Sequence, residues 1–211
     1  MTFSLDGEGR DRHIRGMKNP FDPGFYNSEE LRGFGFARVG ENVQVSKDCT
    51  IIGLENIELG DHSRIDSGVH IIATSGKLIL HGRNHIGGGS HLCVGADLTF
   101  GRFSGCSQGV RIYTASDDYT GRWMTGPCAP SSLRGGRCEP IVIGRHCVIG
   151  SGSVILPGCD LGDGVSVGAL SLVTKPLESW GIYHGNPARR IKARSKRVLE
   201  LEALIAERLV A

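Results

Sequence analysis

The chain lacks most of the features that announce a function outright. Its formal net charge is only +2 over 211 residues, so bulk electrostatics does not point to nucleic acid. No apolar run approaches the roughly 20 residues of a membrane-spanning helix. The opening, MTFSLDGEGRDRH, has no apolar core and does not read as a secretory signal. Seven cysteines are present, yet none forms a C-x-x-C pair. Small thiols packed among apolar neighbours are therefore expected, not disulfides or a metal centre. These absences predict a cytoplasmic chain with no membrane span, no nucleic-acid partner and no metal.

What is abundant is glycine, at 32 residues dispersed along the chain. Dispersal argues against a linker and for many tight corners. Ile143, Ile149, Ile155, Leu161, Val167 and Val173 stand six apart, and glycine follows four of them. Cys147, Ser153, Cys159, Val165 and Ser171 follow the first five at four residues. Six residues turn an α-helix by about 600° and scatter such side chains. In strands the period is two, so six residues return to one face. The pattern reads as short parallel strands joined by corners, coiled into a prism with aliphatics inside.

Earlier repeats run Val39, Val45, Ile51, Ile57, then shift by two to Leu59, Ile65, Ile71. A further set is Ile86, Leu92, Leu98, then Phe100, Cys106, Ile112. The shifts predict longer corners at Glu58 and near Thr99. About six coils of eighteen residues, stacked at about 4.8 Å, would stand about 30 Å tall. Residues 1–37 form a polar segment and a cap, in which Asn27 or Ser28 starts a short helix with Glu29 and Glu30 in its first turn. Phe25, Tyr26, Leu31 and Phe34 would seat it on the prism end. Residues 38–177 form the prism, with a loop thrust out over 114–140 where the repeat vanishes. Residues 178–211 form a tail ending in an amphipathic helix, with Val198, Leu201, Leu204, Ile205 and Leu209 on its apolar face.

The hexads, the loop and GIYHGNPARRI resemble the left-handed parallel β-helix acyltransferase family over residues 39–193. NPFDPGFYNSEELRGFGF, IGLENIELGD, IYTASDDYTGRW and VGALSLVTKPLESWGIYHGNPA are similar to sugar acetyltransferases of surface-polysaccharide and O-antigen pathways, perosamine N-acetyltransferases included. The resemblance implies an all-β, left-handed β-helix and a homotrimer. Acetyl-CoA would lie between adjacent prisms, with the acceptor sugar in the same cleft. CoA contacts are implied at Gly150, Ser151, Gly168, Ala169, Lys175, Asn186, Pro187 and Arg190.

Family members usually use a histidine as general base. The position matching the loop histidine of galactoside-type enzymes falls here at Asp117 or Asp118. His85, in NHIGGGSHL, matches a histidine common in the O-antigen group and is the leading base candidate; His91 is second. A sugar amine, with pKa near roughly 8, is partly neutral near pH 7, whereas a hydroxyl is not ionised there. The missing loop histidine thus leans toward N-acetylation, and the resemblance implies a nucleotide-linked amino sugar for O-antigen as the acceptor. Asp117 would orient the base or, with Asp118, attract the acceptor's ammonium. Tyr119 and Trp123 stack on sugar or base, or only anchor the loop. The basic tail, Arg189 to Arg197, suits CoA phosphates. Competing readings are sugar O-acetylation, a zinc carbonic-anhydrase-like member of the fold, and a non-catalytic trimeric scaffold.

Overall fold

The computed structural model describes residues 19–210, with side chains up to Ile205. The first eighteen residues of the N-terminal segment and the side chain of Leu209 lie outside the described residues. The six-residue step builds a three-walled parallel column. The first wall stacks Gln44–Ser46, Arg64–Ile65, His85–Ile86, Gly105–Cys106, Val148–Ile149, Ser166–Val167 and Gly181–His184. The second stacks Thr50–Ile52, His70–Ile72, His91–Cys93, Arg111–Tyr113, Val154–Ile155 and Leu172–Val173. The third stacks Arg38–Val39, Ile57–Leu59, Leu78–Leu80, Leu98–Phe100 and Ile141–Ile143. The inward aliphatics of successive rungs form one continuous core, with Ile65, Ile71, Ile86, Leu92, Ile112 and Ile155 fully buried.

Two expectations about the coils need correction. The phase shifts are not corners at Glu58 and Thr99. Both residues sit mid-strand and partly exposed, and their neighbours Ile57, Leu59, Leu98 and Phe100 point inward. Two inward residues on one three-residue strand give the two-residue offset, as strand alternation requires. Nor are the early coils eighteen residues long. Partners on the second wall advance from Ile51 to Ile71, Leu92 and Ile112, steps of 20, 21 and 20. The later coils are shorter: Ile149 to Val167 and Ile155 to Val173 each advance by 18. In the first coil a 3-10 turn, Leu54–Asn56, lengthens the corner before the third wall.

Antiparallel strands close both ends of the first wall. Phe25–Tyr26 pairs with Gln44–Ser46, and Arg189–Ala193 pairs with Gly181–His184. Such closure covers strand edges that would otherwise template aggregation. Helix α1 (Ser28–Arg32) begins at Asn27, whose side chain accepts from Glu30 N–H while the Glu30 carboxylate accepts from Asn27 N–H. This reciprocal capping box resolves the choice between Asn27 and Ser28. Leu31 is buried against the column end, and Tyr26 meets Phe34 edge-on at 4.9 Å.

The segment after Tyr113 is not structureless. Ala115–Asp117 pairs antiparallel with Gly136–Cys138, so a hairpin base carries the excursion. Helix α2 (Arg197–Val210) is held by Glu202, whose carboxylate lies 2.6 Å from Nε2 of buried His146. Leu201 and Leu204, on the apolar face of this helix, are half exposed within the single chain.

Two corner columns show how the turns differ. Asn42, His62, Arg83, Phe103, His146 and Trp180 all have positive φ at one corner. Their side chains help each other: Phe103 stacks on His146 at 5.3 Å, and the Arg83 guanidinium lies over Phe103. At the next corner the same left-handed conformation falls on Gly68, Gly89, Gly109 and Gly152, where no Cβ opposes it.

Candidate active site

Three groups of expected residues emerge, on different parts of the column. The first lies beneath the hairpin. Asp117, Asp118, Tyr119 and Trp123 line a cleft of about 1060 Å³ whose floor is Tyr113, Val154, Leu156, Pro157 and Leu172. Tyr113, Val154 and Leu172 are outward residues of the second-wall strands, so the strands that bury the core also present much of the floor. The lip carries Arg122 and Arg137, giving the cleft cations as well as carboxylates. Arg137 forms a two-point pair with Glu139 and holds that carboxyl below its usual range.

The two aspartates have different surroundings. Asp118 accepts from Thr120 Oγ1 at 2.7 Å and from the N–H groups of Thr120, Arg122 and Trp123. These bonds, the Thr120 hydroxyl first, hold its carboxyl below the ordinary value. Asp118 thus organises the loop turn. Asp117 has one long contact, from Gly126 N–H at 3.4 Å, and keeps lone pairs for a ligand. Trp123 packs against Gly135, where an added Cβ would collide with the indole. Tyr119 stands almost wholly in solvent. Of the two aromatics, Trp123 anchors the loop and Tyr119 is available to a ligand.

The second group is on the first wall. His85 is half exposed, and its Nε2 lies 2.7 Å from Asp66 Oδ2. Arg64 Nε donates to the other oxygen at 2.6 Å. Burial pushes the Asp66 carboxyl up, but the bonds from Arg64 and His85 outweigh it and hold the group below its ordinary value. Sequence reasoning missed Asp66. An eighteen-residue coil would set His85 above Ser67, whereas the real register sets it above Arg64, with Asp66 two residues along. His91 is on the second wall, stacked on His70 at 6.0 Å and tilted against Tyr113 at 6.0 Å. Burial first, then the neighbouring His70 and Arg111, lowers its pKa. His85 and His91 therefore occupy different walls of one subunit, and His91 adjoins the hairpin cleft through Tyr113.

The third group follows the corner between the first and second walls. Gly150 and Ser151 occupy one rung; Gly168 and Ala169 occupy the next. A Cβ on Gly150 would lie 2.7 Å from Gly168 carbonyl carbon and 2.8 Å from Ala169 Cα, so glycine is required for the rungs to close. Gly150 N–H donates to Val167 O, which leaves Ala169 N–H, of the two, unbonded among the described residues. Asn186 and Pro187 are exposed at the end of this corner. Leu172 N–H donates to Gly185 O, and Ala188 N–H donates to Leu172 O, fixing their loop. Lys175 is exposed in the turn after Val173, and Arg190 is exposed on the closing antiparallel strand. Three cations of the basic tail have structural partners: Arg189 donates to Ala188 O, Arg194 donates to the carbonyls of His146, Gly164 and Val165, and Lys196 lies over Trp180.

The thiols behave as small apolar groups on the column. Cys106 and Cys147 are buried, and burial pushes each up to about 11. Neither is a nucleophile near neutral pH.

A continuous parallel column with a ligand-sized cleft and a glycine-stepped corner is the architecture of hexapeptide-repeat acyltransferases. The sequence profile of the bacterial transferase hexapeptide (six repeats) matches residues 140–175. The dTDP-4-amino-4,6-dideoxy-D-glucose acyltransferase of Escherichia coli is 35% identical over 175 residues, 83% of this chain and 91% of that protein. The putative colanic acid biosynthesis acetyltransferase WcaF of Escherichia coli K12 is 29% identical over 78% of this chain and 72% of its own length. The crystal structure of AntD, an N-acyltransferase from Bacillus cereus in complex with dTDP and 3-hydroxybutyryl-CoA, superposes with a TM-score of 0.85 at 34% identity. It covers 89% of this chain and 99% of that one. This chain belongs to the hexapeptide-repeat transferase family, and it is an acyltransferase.

Proposed function

We propose that the protein transfers an acetyl group from acetyl-CoA to the amine of a nucleotide-linked 4-amino-4,6-dideoxy sugar, for surface-polysaccharide or O-antigen synthesis. The observation that carries this reading is the 35% identity to an enzyme named for dTDP-4-amino-4,6-dideoxy-D-glucose, extending over 91% of that enzyme. The hairpin cleft supports it, because Asp117 offers a carboxylate to an ammonium beside an apolar floor suited to a deoxy sugar. The acyl-CoA follows the Gly150–Ala169 corner toward Asn186, Pro187, Lys175 and Arg190.

The chain works as a cytoplasmic homotrimer, with each cleft completed by the neighbouring column. That arrangement lets His85 and Asp117, on different parts of one subunit, meet across a boundary. The neutral amine attacks the thioester carbonyl. The C–N bond forms, the C–S bond breaks, and CoA leaves as thiolate. The proton shed by nitrogen passes through His85 to the thiolate. Ala169 N–H faces the developing oxyanion.

The test is thiol release from acetyl-CoA with three acceptors. These are dTDP-4-amino-4,6-dideoxyglucose, the GDP-linked mannose-configured (perosamine) analogue, and dTDP-glucose. Release with an amino sugar and an amide product supports the proposal. An ester product from dTDP-glucose alone assigns the protein to O-acetylation. No release with any acceptor leaves a scaffold. Sedimentation should give about three times the 22.6 kDa chain mass.

A further inference from the structure

The corner column that carries the CoA-contact residues ends on an exception. Gly68, Gly89, Gly109 and Gly152 have φ between +67° and +69°, and on the next rung the position belongs to Leu170, at φ +56°. The equivalence is set by a backbone ladder. Gly89, Gly109, Gly152 and Leu170 each donate N–H to the residue before the glycine one rung down: Ser67, Gly88, Gln108 and Ser151. A left-handed conformation is unfavourable for a bulky L-residue and persists only where surrounding bonds over-determine it.

Among the described residues no aromatic or cationic side chain stacks on Leu170. On the other corner, three of the non-glycine residues with positive φ stack on one another: Arg83 over Phe103, and Phe103 on His146. Leu170 is 78% exposed, and its side chain extends over Gly152 on the rung below. Its side chain covers the spot where a Cβ on Gly152 would lie 2.8 Å from Leu170 Cδ2. The residue is thus strained, apolar, in solvent, and next to Ala169.

We infer that Leu170 is a binding residue for the CoA part of the acyl donor: its side chain forms an apolar flank of the corner groove, against the alkyl part of the pantetheine arm. Burial of that side chain by ligand would repay what the free protein lacks, because apolar surface removed from water is the term the exposed leucine leaves unused. A neighbouring subunit is the competing occupant, and the experiment separates the two. The inference rests on the proposal that acyl-CoA lies along Gly150–Ala169.

Leu170→Gly restores the residue type of the four lower rungs. The expected result is a thermal midpoint equal to or above that of the parent, an unchanged oligomer mass, and a KM for acetyl-CoA raised about tenfold, which is about 1.4 kcal/mol. kcat at saturating acetyl-CoA should stay within about twofold. Calorimetric titration with CoA alone should weaken in parallel. A side chain that served the fold would instead lower the midpoint and spare KM. Unchanged KM and CoA affinity overturn the inference, and so does dissociation of the oligomer, which would make Leu170 a subunit contact. Ala169→Trp is the control for the groove itself. If Ala169→Trp blocks CoA while Leu170→Gly changes nothing, only the role of Leu170 fails. If Ala169→Trp still binds CoA normally, the groove placement fails as well.

Discussion

His85 Nε2 sits 2.7 Å from Asp66 Oδ2, and Arg64 holds the other oxygen of the same carboxylate. One ring nitrogen is thereby engaged, which fixes the ring orientation and leaves Nδ1 for other chemistry.

His85→Asn should lower kcat about 100-fold while the CoA dissociation constant changes less than about twofold. Steady-state kinetics and calorimetry with CoA check this pair of outcomes. Full turnover in the variant would remove His85 from the mechanism.

The hairpin makes a second prediction. Asp118 gathers three backbone N–H groups and one hydroxyl, so Asp118→Ala should loosen residues 119–126 without unfolding the column. Limited proteolysis should nick this loop at least several-fold faster, and KM for the acceptor should rise more than KM for acetyl-CoA. Equal proteolysis in parent and variant would contradict the assigned role.

His91 predicts a pH effect on stability. Burial, His70 and Arg111 lower its folded pKa below the usual 6.5. Between that lowered value and 6.5 the unfolded chain binds more protons, so acidification through this window favours unfolding. His91→Gln should flatten the fall in thermal midpoint between pH 7.5 and 5.5. An identical pH slope in the variant would mean that His91 does not carry the effect.

Two arginines of one tail should behave oppositely. Arg190 is exposed, and Arg190→Ala should weaken CoA binding about fivefold and leave the thermal midpoint unchanged. Arg194 satisfies three carbonyls, and Arg194→Ala should lower the midpoint by a few degrees, because acceptors lose a charged donor. Differential scanning calorimetry alongside CoA titration distinguishes them.

The column was legible because its signal is redundant. Ile143, Ile149 and Ile155 repeat one environment, and no helix reproduces it. The start of the short helix was legible to within one residue, Asn27 or Ser28, from local signals, and the reciprocal bonds with Glu30 chose Asn27. The offset at Ile57 and Leu59 was misread. A two-residue shift looks alike whether it marks a corner or two inward residues on one strand. That ambiguity shortened the inferred coil, and the shortened coil hid Asp66 from His85. The closing strand Arg189–Ala193 also escaped, because its five exposed residues carry no buried stripe to read.

By itself the sequence determined the coiled column, the capped start, the excursion after Tyr113 and the family, since each depends on residues near one another in the chain or on a repeated spacing. The tertiary structure alone decided which side chains meet between rungs: Asp66 with His85, Glu202 with His146, Leu170 over Gly152. Those meetings depend on the length of each coil, and coil length is set at corners by backbone geometry that hydrophobic spacing does not encode.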